Sequence, residues 1–405
     1  MRLARTCLLL FGAALATSRG LFAQETVPDS ALRPAAIAAD QLPTRLRIDP
    51  RYAQPEPLLF TTARSVKALY VNAWAFGSNK LWHLVHLADS TEINAFVIDV
   101  KDDTGCLLYP SAVQTAQEIG ANDCVRTRSI RARLDTLLAH GIYPIARIVV
   151  AKDPRLAERK PEWSVRSRDG GQWRDRINIA WVDAYNDSVW IYASQLAAEA
   201  VRLGFAEVQF DYVRFPDEPR ERLATAIFPA HRPGQSQREA VRRHIALLKN
   251  RLRPFGVPVT FDIFGLTASA TDDLGIGQVW EDFTRVADVV LPMVYPSHYY
   301  RGAFGFQHPN AEPYRVVYNA LKEAITRNRA SPGRAEIRPF LQAFTLGRRL
   351  PRYTPFEIRE EIRAAETLGI ESWVLWNPRS VYPRDALRPY KTGFRVAGVL
   401  SGGGE

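Results

Sequence analysis

From residue 66 onward, short apolar runs rich in β-branched residues alternate with longer stretches whose apolar residues recur at helical spacing. Alternation of this kind predicts βαβ units, in which the strands form a parallel sheet. Helices are predicted near 79–90, 126–140, 183–203, 236–253, 278–286, 312–328 and 355–368, and strands at 66–71, 95–100, 143–150, 207–213, 257–263, 289–294, 338–343 and 372–376. Eight strands are the number in a closed (β/α)8 barrel, so the sequence predicts an α/β protein with a single TIM barrel.

The predicted barrel occupies residues 63–390 and is flanked by two segments that lack this alternation. Residues 24–62 contain several prolines among small and polar residues, which predicts a linker or an arm that wraps the surface. Residues 391–405 include three consecutive glycines and are predicted to be a flexible tail. Because few residues follow the eighth strand, the eighth helix is expected to be short or missing.

The segment 1–23 has the pattern of a secretory signal peptide. Arg2 and Arg5 precede an apolar run over 7–16, which is shorter than the roughly 20 residues that a membrane-spanning helix needs. A secreted or periplasmic location is therefore predicted, with no transmembrane segment after removal of the signal. In such an oxidising compartment Cys106 and Cys124 are expected to form a disulfide, with two free buried thiols as the alternative.

The chain has 405 residues and a formal net charge of +10, carried largely by dispersed arginines. This charge favours solubility and weak association with polyanions, such as an acidic polysaccharide or the cell envelope. A nucleic-acid partner is not predicted, because the basic residues form no recognition motif. The sequence does not predict an oligomeric state.

Aspartates lie near the carboxyl ends of three predicted strands. Asp211 follows the apolar run of strand four, Asp262 lies in strand five, and Asp99 and Asp102 lie at the end of strand two. The longest loops follow strands two and three, at 101–124 and 151–181, on the side of the barrel where enzymes of this fold place their active sites. Two carboxyl groups on neighbouring strands suit glycoside hydrolysis, and both retention and inversion of the anomeric configuration are open.

Three basic residues are candidate charge partners for these carboxylates. Arg147 lies inside strand three, Lys101 lies between Asp99 and Asp102, and Arg214 follows Asp211 by three positions. Burial of a carboxylate is costly unless it is paired with a cation or used in chemistry. A purely structural network of ion pairs is therefore the main alternative to a catalytic site.

Aromatic and polar side chains follow several predicted strands, as expected of a site that binds the apolar faces of sugars. The candidates for substrate binding are Tyr70 and Trp74 after strand one, Tyr212 after strand four, Tyr295 and His298 after strand six, and Trp376 and Asn377 at the end of strand eight. Any one of these rings could instead belong to the core. The segment 295–300 is too polar for the core and is predicted to be a loop.

Motifs of several other enzyme classes are absent from the sequence. It contains no His-Glu-x-x-His zinc motif, no phosphate-binding loop and no Gly-x-Ser-x-Gly turn. His83 and His86 are three positions apart on a predicted helix and could face a metal ion, although an outer helix face is the simpler interpretation. No cofactor and no metal ion are predicted.

The segments 67–71, 96–102, 145–153, 210–216, 293–299 and 373–378 form an ordered set of motifs. Together they resemble an uncharacterised bacterial family, the putative glycosyl hydrolase domain (domain of unknown function 4015), over roughly 66–383. The resemblance implies a TIM barrel and a glycosidase activity but assigns no catalytic pair. Strands four and six are also similar to those of family 18 chitinases, but Val213 stands where the acidic glutamate of that family would lie.

The function predicted from these observations is hydrolysis of an envelope or extracellular polysaccharide by an exported glycoside hydrolase. Asp211 would be the nucleophile or base, and Asp262 the general acid, with a pKa raised by burial or by the neighbouring carboxylate. Asp99 and Asp102 are reserve acids. A second hypothesis is a barrel that binds carbohydrate without hydrolysing it, and a third is a metal-dependent deacetylase with aspartate and histidine ligands.

Overall fold

The computed structural model describes residues 65–333, 335–348 and 351–389, and these residues form a barrel of eight parallel strands surrounded by helices. The strands are β1 (Lys67–Val71), β2 (Ala95–Lys101), β3 (Tyr143–Val149), β4 (Glu207–Asp211), β5 (Val259–Phe264), β6 (Val289–Met293), β7 (Phe340–Gln342) and β8 (Trp373–Trp376). The longer helices between them are α1 (Lys80–Asp89), α2 (Ile130–Ala139), α3 (Asp187–Leu203), α4 (Gln237–Leu252), α5 (Trp280–Val286), α6 (Pro313–Ala330) and α7 (Pro355–Thr367).

The strand pairings close the sheet on itself. Strands β1 to β6 pair in parallel in chain order. Strand β8 pairs with both β1 and β7, and Phe340 of β7 pairs with Met293 of β6, which completes the ring. A further short strand, Glu336–Ile337, lies beside the start of β6. The predicted TIM barrel is confirmed, and every predicted strand and helix overlaps an observed one.

Alternation along each strand separates the barrel interior from the layer beneath the helices. On β2, Ala95 and Val97 belong to the interior cluster, whereas Phe96 and Ile98 belong to the larger cluster that packs against the helices. Because both faces are covered, all seven residues of β2 are buried. This explains why the strands are continuous apolar runs in the sequence, as in other parallel sheets.

The start of α7 shows how the sequence sets a helix boundary. Thr354 is the N-cap, Pro355 is the first helical residue, and the Glu357 side chain accepts from the Thr354 backbone N–H, as predicted. Pro355 is favourable here because the first helical N–H has no partner within the helix. Helix α4 begins with the same capping box, formed by Ser236 and Glu239.

After β8, the described residues 377–389 contain one short 3-10 helix, Arg384–Ala386, and no α-helix. The segment that follows it lies against the loop between α1 and β2, where the Arg388 backbone N–H donates to Glu92 Oε1 at 2.9 Å. The expectation of a short or missing eighth helix therefore holds within the described range.

The loop after β2 is organised by the disulfide between Cys106 and Cys124, which confirms the predicted pairing. It contains the short helix Gln114–Glu118. The loop after β3 contains the helix Pro154–Arg159 and a two-residue strand, Arg166–Ser167, that pairs with Ala226–Ile227 in the loop after β4. Both long loops thus carry ordered structure at the carboxyl side of the barrel.

Replacement of both cysteines by serine is expected to lower the free energy of unfolding by about 3 kcal/mol, because the unfolded chain regains the freedom of a loop closed across 18 residues. Urea unfolding of wild type and of the Cys106→Ser/Cys124→Ser variant at pH 7 measures the difference. Wild type treated with a reducing agent serves as the control and should lose a similar amount. A loss below about 1 kcal/mol would show that the disulfide does little to restrict the unfolded chain.

None of the helices in the described residues is both long and apolar enough to cross a membrane. The predicted signal peptide (1–23), linker or arm (24–62) and tail (391–405) lie outside the described residues. His83 and His86 lie on the exposed face of α1.

Candidate functional site

Five consecutive strands each contribute one polar side chain to the carboxyl end of the barrel interior. They are Tyr70 on β1, Asp99 on β2, Arg147 on β3, Asp211 on β4 and Asp262 on β5, here called the Arg147 cluster. On each strand the residue two positions earlier also points inward or is fully buried, as strand alternation requires. All five side chains belong to residues that are less than one tenth exposed.

Arg147 lies at the centre of this cluster. Its Nη1 donates to Asp99 Oδ1 at 2.5 Å, and its Nη2 donates to Asp211 Oδ2 at 2.5 Å. Its Nε donates to Asp211 Oδ2 at 3.2 Å and lies 3.6 Å from Asp262 Oδ2. One guanidinium therefore faces three carboxyl groups. Because one positive charge cannot compensate three buried negative charges, at least one of these carboxyl groups is expected to hold a proton.

The carboxyl group of Asp262 is the one best placed to hold this proton. It is 1% exposed and accepts a hydrogen bond from Gln209 Nε2 at 3.0 Å. Burial raises the pKa of Asp262 well above its usual value, and the neighbouring charge of Asp211 raises it further. Arg147 and Gln209 act in the opposite direction but do not reverse the shift. These causes favour a proton on Asp262, beside an Asp211 carboxyl group that accepts hydrogen bonds from Arg147.

Asp99 completes the cluster on the other side of Arg147. The Tyr70 hydroxyl donates to Asp99 Oδ2. Burial raises the pKa of Asp99 to about 6, although Arg147 and Tyr70 both stabilise its charged form. Burial, followed by the charge of Asp99, raises the pKa of Tyr70, which therefore remains a hydrogen-bond donor at neutral pH. Around neutrality the cluster is close to the pH at which Asp99 changes its charge.

The raised pKa of Asp99 predicts a pH-dependent contribution to stability. Unfolding returns the Asp99 pKa from about 6 to its ordinary value of 3.8, so the native state holds the proton more tightly between these pH values. This stabilisation is complete below the unfolded pKa and is lost as pH rises through the folded pKa. The free energy of unfolding of wild type relative to Asp99→Asn should therefore fall by about 2–3 kcal/mol between pH 4 and pH 7.

Urea unfolding of wild type, Asp99→Asn and the control Asp135→Asn across this pH range measures the effect. Asp135 lies on α2 with a half-exposed side chain. A constant difference between wild type and Asp99→Asn would contradict the assigned pKa of Asp99.

Aromatic rings from β8 and from the loops after β6 and β7 pack together at the same end of the barrel. Tyr295 stacks on Trp376 with ring centroids 5.1 Å apart, and Phe344 meets the Trp376 ring edge-on at 5.0 Å. The Tyr70 ring lies 6.2 Å from Trp376, which connects this aromatic wall (Tyr70, Tyr295, Phe344 and Trp376) to the Arg147 cluster. Trp376 is only partly buried, so part of its ring is open to a ligand.

The chain turns sharply immediately after Asp211. Tyr212 has a φ of 52°, a left-handed conformation that is rare for a residue with a side chain. Its backbone N–H donates to Asp211 Oδ1 at 2.5 Å, and its ring lies 5.8 Å from the ring of Trp181. Such a conformation costs about 1–3 kcal/mol and persists only where the surroundings fix it. Non-glycine residues in this state are concentrated at functional sites.

Lys101 does not join the Arg147 cluster, contrary to the expectation from the sequence. A bulge between Asp99 and Lys101 shifts the register of β2, so that Lys101 lies opposite Ile148. Its side chain is therefore directed away from the barrel interior, and its Nζ lies 2.5 Å from Asp153 Oδ2. Both side chains of this ion pair are almost fully buried, which indicates a structural role.

Asp102 is also separate from the cluster and organises its own loop. Its Oδ1 accepts from the backbone N–H of Thr104 at 2.9 Å and of Cys106 at 3.3 Å. Its charge nevertheless contributes to the raised pKa of Asp99. The role of a reserve acid therefore suits Asp99 better than Asp102.

The remaining candidates for substrate binding occupy three different environments. Trp74 is 65% exposed, and the Arg126 guanidinium lies 3.6 Å from the centre of its ring. His298 is exposed, with its ring 5.4 Å from that of Tyr295. Asn377 is buried, and its side chain donates to the Ala343 backbone oxygen at 2.6 Å. Asn377 therefore joins the ends of β7 and β8, whereas Trp74 and His298 are accessible.

Sequence reasoning missed three residues of this region. Gln209 precedes Asp211 by two positions, so strand alternation could have placed it in the barrel interior. Asp153 was not recognised as the partner of Lys101, because the pairing depends on the bulge in β2. Phe344 follows β7 without any motif that distinguishes it from a core residue.

In the part of the chain that the structure describes, no group of three or more histidine, cysteine, aspartate or glutamate side chains is arranged to hold a metal ion. The three carboxyl groups near Arg147 are instead organised by a guanidinium. The arrangement is suited to acid–base chemistry beside an aromatic binding surface.

A protein-family model described as "Putative glycosyl hydrolase domain" matches residues 68–382. No curated protein matches the chain. A hypothetical protein from Ruminiclostridium thermocellum is 37% identical, and the match covers 51% of this chain and 98% of that one, with a TM-score of 0.44.

Two solved glycoside hydrolase domains are more distant in sequence. That of PgaB (BpsB) from Bordetella bronchiseptica is 13% identical, covers 80% of this chain and 99% of its own, and has a TM-score of 0.54. That of PelA from Pseudomonas aeruginosa is 15% identical, covers 81% and 98%, and has a TM-score of 0.43. At these identities the PgaB comparison supports the barrel fold alone.

Proposed function

Because the chain belongs to the family described as putative glycosyl hydrolase domain, we propose that it is an exported glycoside hydrolase that cleaves an envelope or extracellular polysaccharide. The observation that carries this proposal is the pair formed by Asp211 and Asp262. One buried carboxyl group with a raised pKa lies beside one that is held opposite a guanidinium. Glycoside hydrolysis requires this combination of an acid and a charged carboxylate.

In the proposed reaction, the bond between the anomeric carbon and the glycosidic oxygen breaks, and its electron pair remains on the oxygen. The proton held by Asp262 moves to that oxygen. Asp211 stabilises the positive charge on the sugar ring, as nucleophile or as the base that activates water. If Asp211 is the nucleophile, water breaks the bond between the anomeric carbon and Asp211, supplies the new hydroxyl and gives its other proton to Asp262. If Asp211 is the base, it takes that proton from the attacking water, and the proton then passes to Asp262.

The present contact between the two carboxyl groups also indicates what a substrate must do. A hydrogen bond between Asp211 and Asp262 is one cause of the raised pKa of Asp262. Carboxyl groups that act on opposite sides of a glycosidic bond are separated by about 5 Å or more. Substrate entry is therefore proposed to separate the two carboxyl groups. Arg147 would keep Asp211 in place through its hydrogen bonds while Asp262 moves away.

The aromatic wall supplies a surface on which a sugar could stack. Trp376 is partly exposed and is held between Tyr295 and Phe344, so its ring position is fixed before a ligand arrives. Fixed rings reduce the entropy that binding costs. Export is supported by the sequence pattern of 1–23 and by the disulfide between Cys106 and Cys124, since disulfides persist in oxidising compartments.

A barrel that binds carbohydrate without cleaving it is the second candidate. The observation in its favour is that Arg147 donates short hydrogen bonds to both Asp99 and Asp211. Carboxylates paired in this way can form a purely structural network of ion pairs. Incubation of the purified protein with a panel of bacterial polysaccharides and peptidoglycan separates the two proposals. New reducing ends support the hydrolase, whereas retention of the protein on a glycan that stays intact overturns it in favour of the binding protein.

A further inference from the structure

Arg214 is a buried cation at the carboxyl end of β4 without an ion-pair partner among the described residues. The residue is 8% exposed, and its Nη1 donates to the Phe215 backbone oxygen at 2.9 Å. Two other arginines buried in the barrel, Arg147 and Arg338, each pair with carboxylates. Arg214 therefore differs from these two arginines, because it is buried without an ion pair to a described residue.

Three aromatic rings surround the Arg214 guanidinium. Its central carbon lies 4.6 Å from the ring of Phe264, 4.7 Å from that of Tyr212 and 5.2 Å from that of Trp181. Rings stabilise a cation over their faces, but they do not satisfy the N–H donors in the guanidinium plane. Burial lowers the pKa of Arg214, yet an arginine side chain stays protonated at physiological pH. Its charge thus remains incompletely compensated within the described chain.

The position of Arg214 links it to the Asp211–Asp262 pair. It follows Asp211 by three residues, and the strained Tyr212 that contacts its guanidinium also donates its backbone N–H to Asp211. A second cation, Lys152, lies 5.3 Å from the Tyr212 ring and pairs with Asp103 at 2.7 Å. Of these two cations, Lys152 has a carboxylate partner, whereas Arg214 has no ion pair to a described residue. The charges of Asp211 and Asp217 stabilise the Arg214 cation without forming an ion pair with it, and the Asp211 carboxylate is held by Arg147.

We propose that Arg214, framed by Trp181, Tyr212 and Phe264, recognises an acidic group on the glycan substrate, with the carboxylate of a uronic acid as the chemistry that fits best. The inference rests on the proposed function and narrows its substrate class to acidic glycans. A guanidinium matches the two oxygens of a carboxylate with two parallel hydrogen bonds, and the partly exposed rings of Tyr212 and Phe264 suit the apolar face of the same sugar. An amino sugar would place a second cation beside Arg214.

Binding of matched sugars to the full chain tests this inference without requiring turnover. The probes are D-glucuronate and D-galacturonate, each compared with its uncharged amide of the same size, and measured by NMR titration of the tryptophan indole N–H signals. Wild type should bind at least one uronate about 10-fold or more tightly than its amide, the usual contribution of a hydrogen bond to a charged group. Glucose 6-sulfate distinguishes a sulfate ester from a carboxylate as the acidic group.

The variants assign the effect to Arg214. Arg214→Gln should abolish the preference for the uronate, and Arg214→Lys, which keeps the charge in the same aromatic surroundings, should retain part of it. Arg131→Gln on the outer surface of α2 is the matched control and should leave it unchanged. Thermal unfolding identifies any variant that fails to fold. If Arg214→Gln does not fold, the uronate preference of wild type and of Arg214→Lys still tests the inference.

Two outcomes overturn the inference: equal binding of uronate and amide, or a preference that survives in folded Arg214→Gln. A stronger response to glucose 6-sulfate than to the uronates would also overturn the assignment of a carboxylate. Its failure is distinguishable from failure of the proposed function. Hydrolysis of a neutral polysaccharide without any uronate preference removes only the acidic-glycan inference. Binding of uronates through Arg214 without hydrolysis of any glycan removes only the hydrolase.

Discussion

Asp211→Asn is expected to lower kcat/KM on a cleaved polysaccharide by about 10³-fold or more, within the range lost when a general acid, base or nucleophile is removed. Asparagine has nearly the same shape but no negative charge, so it can neither attack the anomeric carbon nor activate water. The variant should still fold, because Arg147 retains its hydrogen bond to Asp99. Release of reducing ends, measured together with thermal unfolding, separates loss of chemistry from loss of structure.

The matched control is Asp135→Asn, which makes the same chemical change at a half-exposed aspartate of α2. It should leave kcat/KM unchanged. If folded Asp211→Asn kept more than about one tenth of wild-type activity, its loss would lie below the range of acid–base catalysis and Asp211 could not have the proposed role.

The second large effect is expected on stability. Arg147→Met should lower the free energy of unfolding at pH 7 by about 3–5 kcal/mol, the range observed when one partner of a buried ion pair is removed. Methionine preserves much of the volume, so the loss arises from carboxylates that remain buried without a cation. The loss should be smaller at pH 5, because burial raises the pKa of Asp99 to about 6 and this carboxyl group can take up a proton there.

Urea unfolding at both pH values measures this effect. The surface variant Arg131→Met should change the free energy of unfolding by no more than about 0.5 kcal/mol. The double variant Arg147→Met/Asp211→Asn should be more stable than Arg147→Met alone, because one uncompensated carboxylate has been removed. A loss that is larger at pH 5 than at pH 7 would contradict the assignment of protonated carboxyl groups to this cluster.

The fold was predictable because its signal is repeated along the chain. Strands buried on both faces produce apolar runs, and the helices between them show separate periodicity and capping, as at Thr354 and Glu357. The same regularity placed Asp99, Asp211 and Asp262 at one end of the barrel, since residues at the carboxyl ends of parallel strands meet there. The sequence also identified Arg147 as a basic residue within the third strand.

Other parts of the site depend on departures from regularity. Strand alternation places Lys101 on the same face as Asp99, but a bulge turns it toward Asp153. Bulges leave no reliable mark in a single sequence. The left-handed conformation of Tyr212 is equally invisible, because the residue is neither glycine nor asparagine. The sequence also could not show that Arg214 lies among aromatic rings without an ion pair to a described residue, since those rings come from three different segments.

The sharing of charge within the Arg147 cluster is a property of the folded barrel. Neither Asp262 nor Asp99 has an unusual pKa until strand pairing buries it beside a neighbouring carboxyl group. The sequence could therefore propose Asp262 as an acid only from its position. The structure supplies the physical cause, which is burial together with the charge of Asp211.

The central claim is that the Asp211–Asp262 pair holds one proton at neutral pH, and carboxyl-carbon NMR of protein labelled at its aspartates tests this most directly. Wild type at pH 7 is predicted to show one aspartate carboxyl signal at the position of a protonated acid, and Asp262→Asn should remove it. In the Asp211→Asn variant, the titration of the Asp262 carboxyl group should shift to lower pH, because the neighbouring negative charge is lost. If all aspartate carboxyl groups are fully ionised at pH 7, Asp262 does not hold the proton and the two-carboxylate account is wrong.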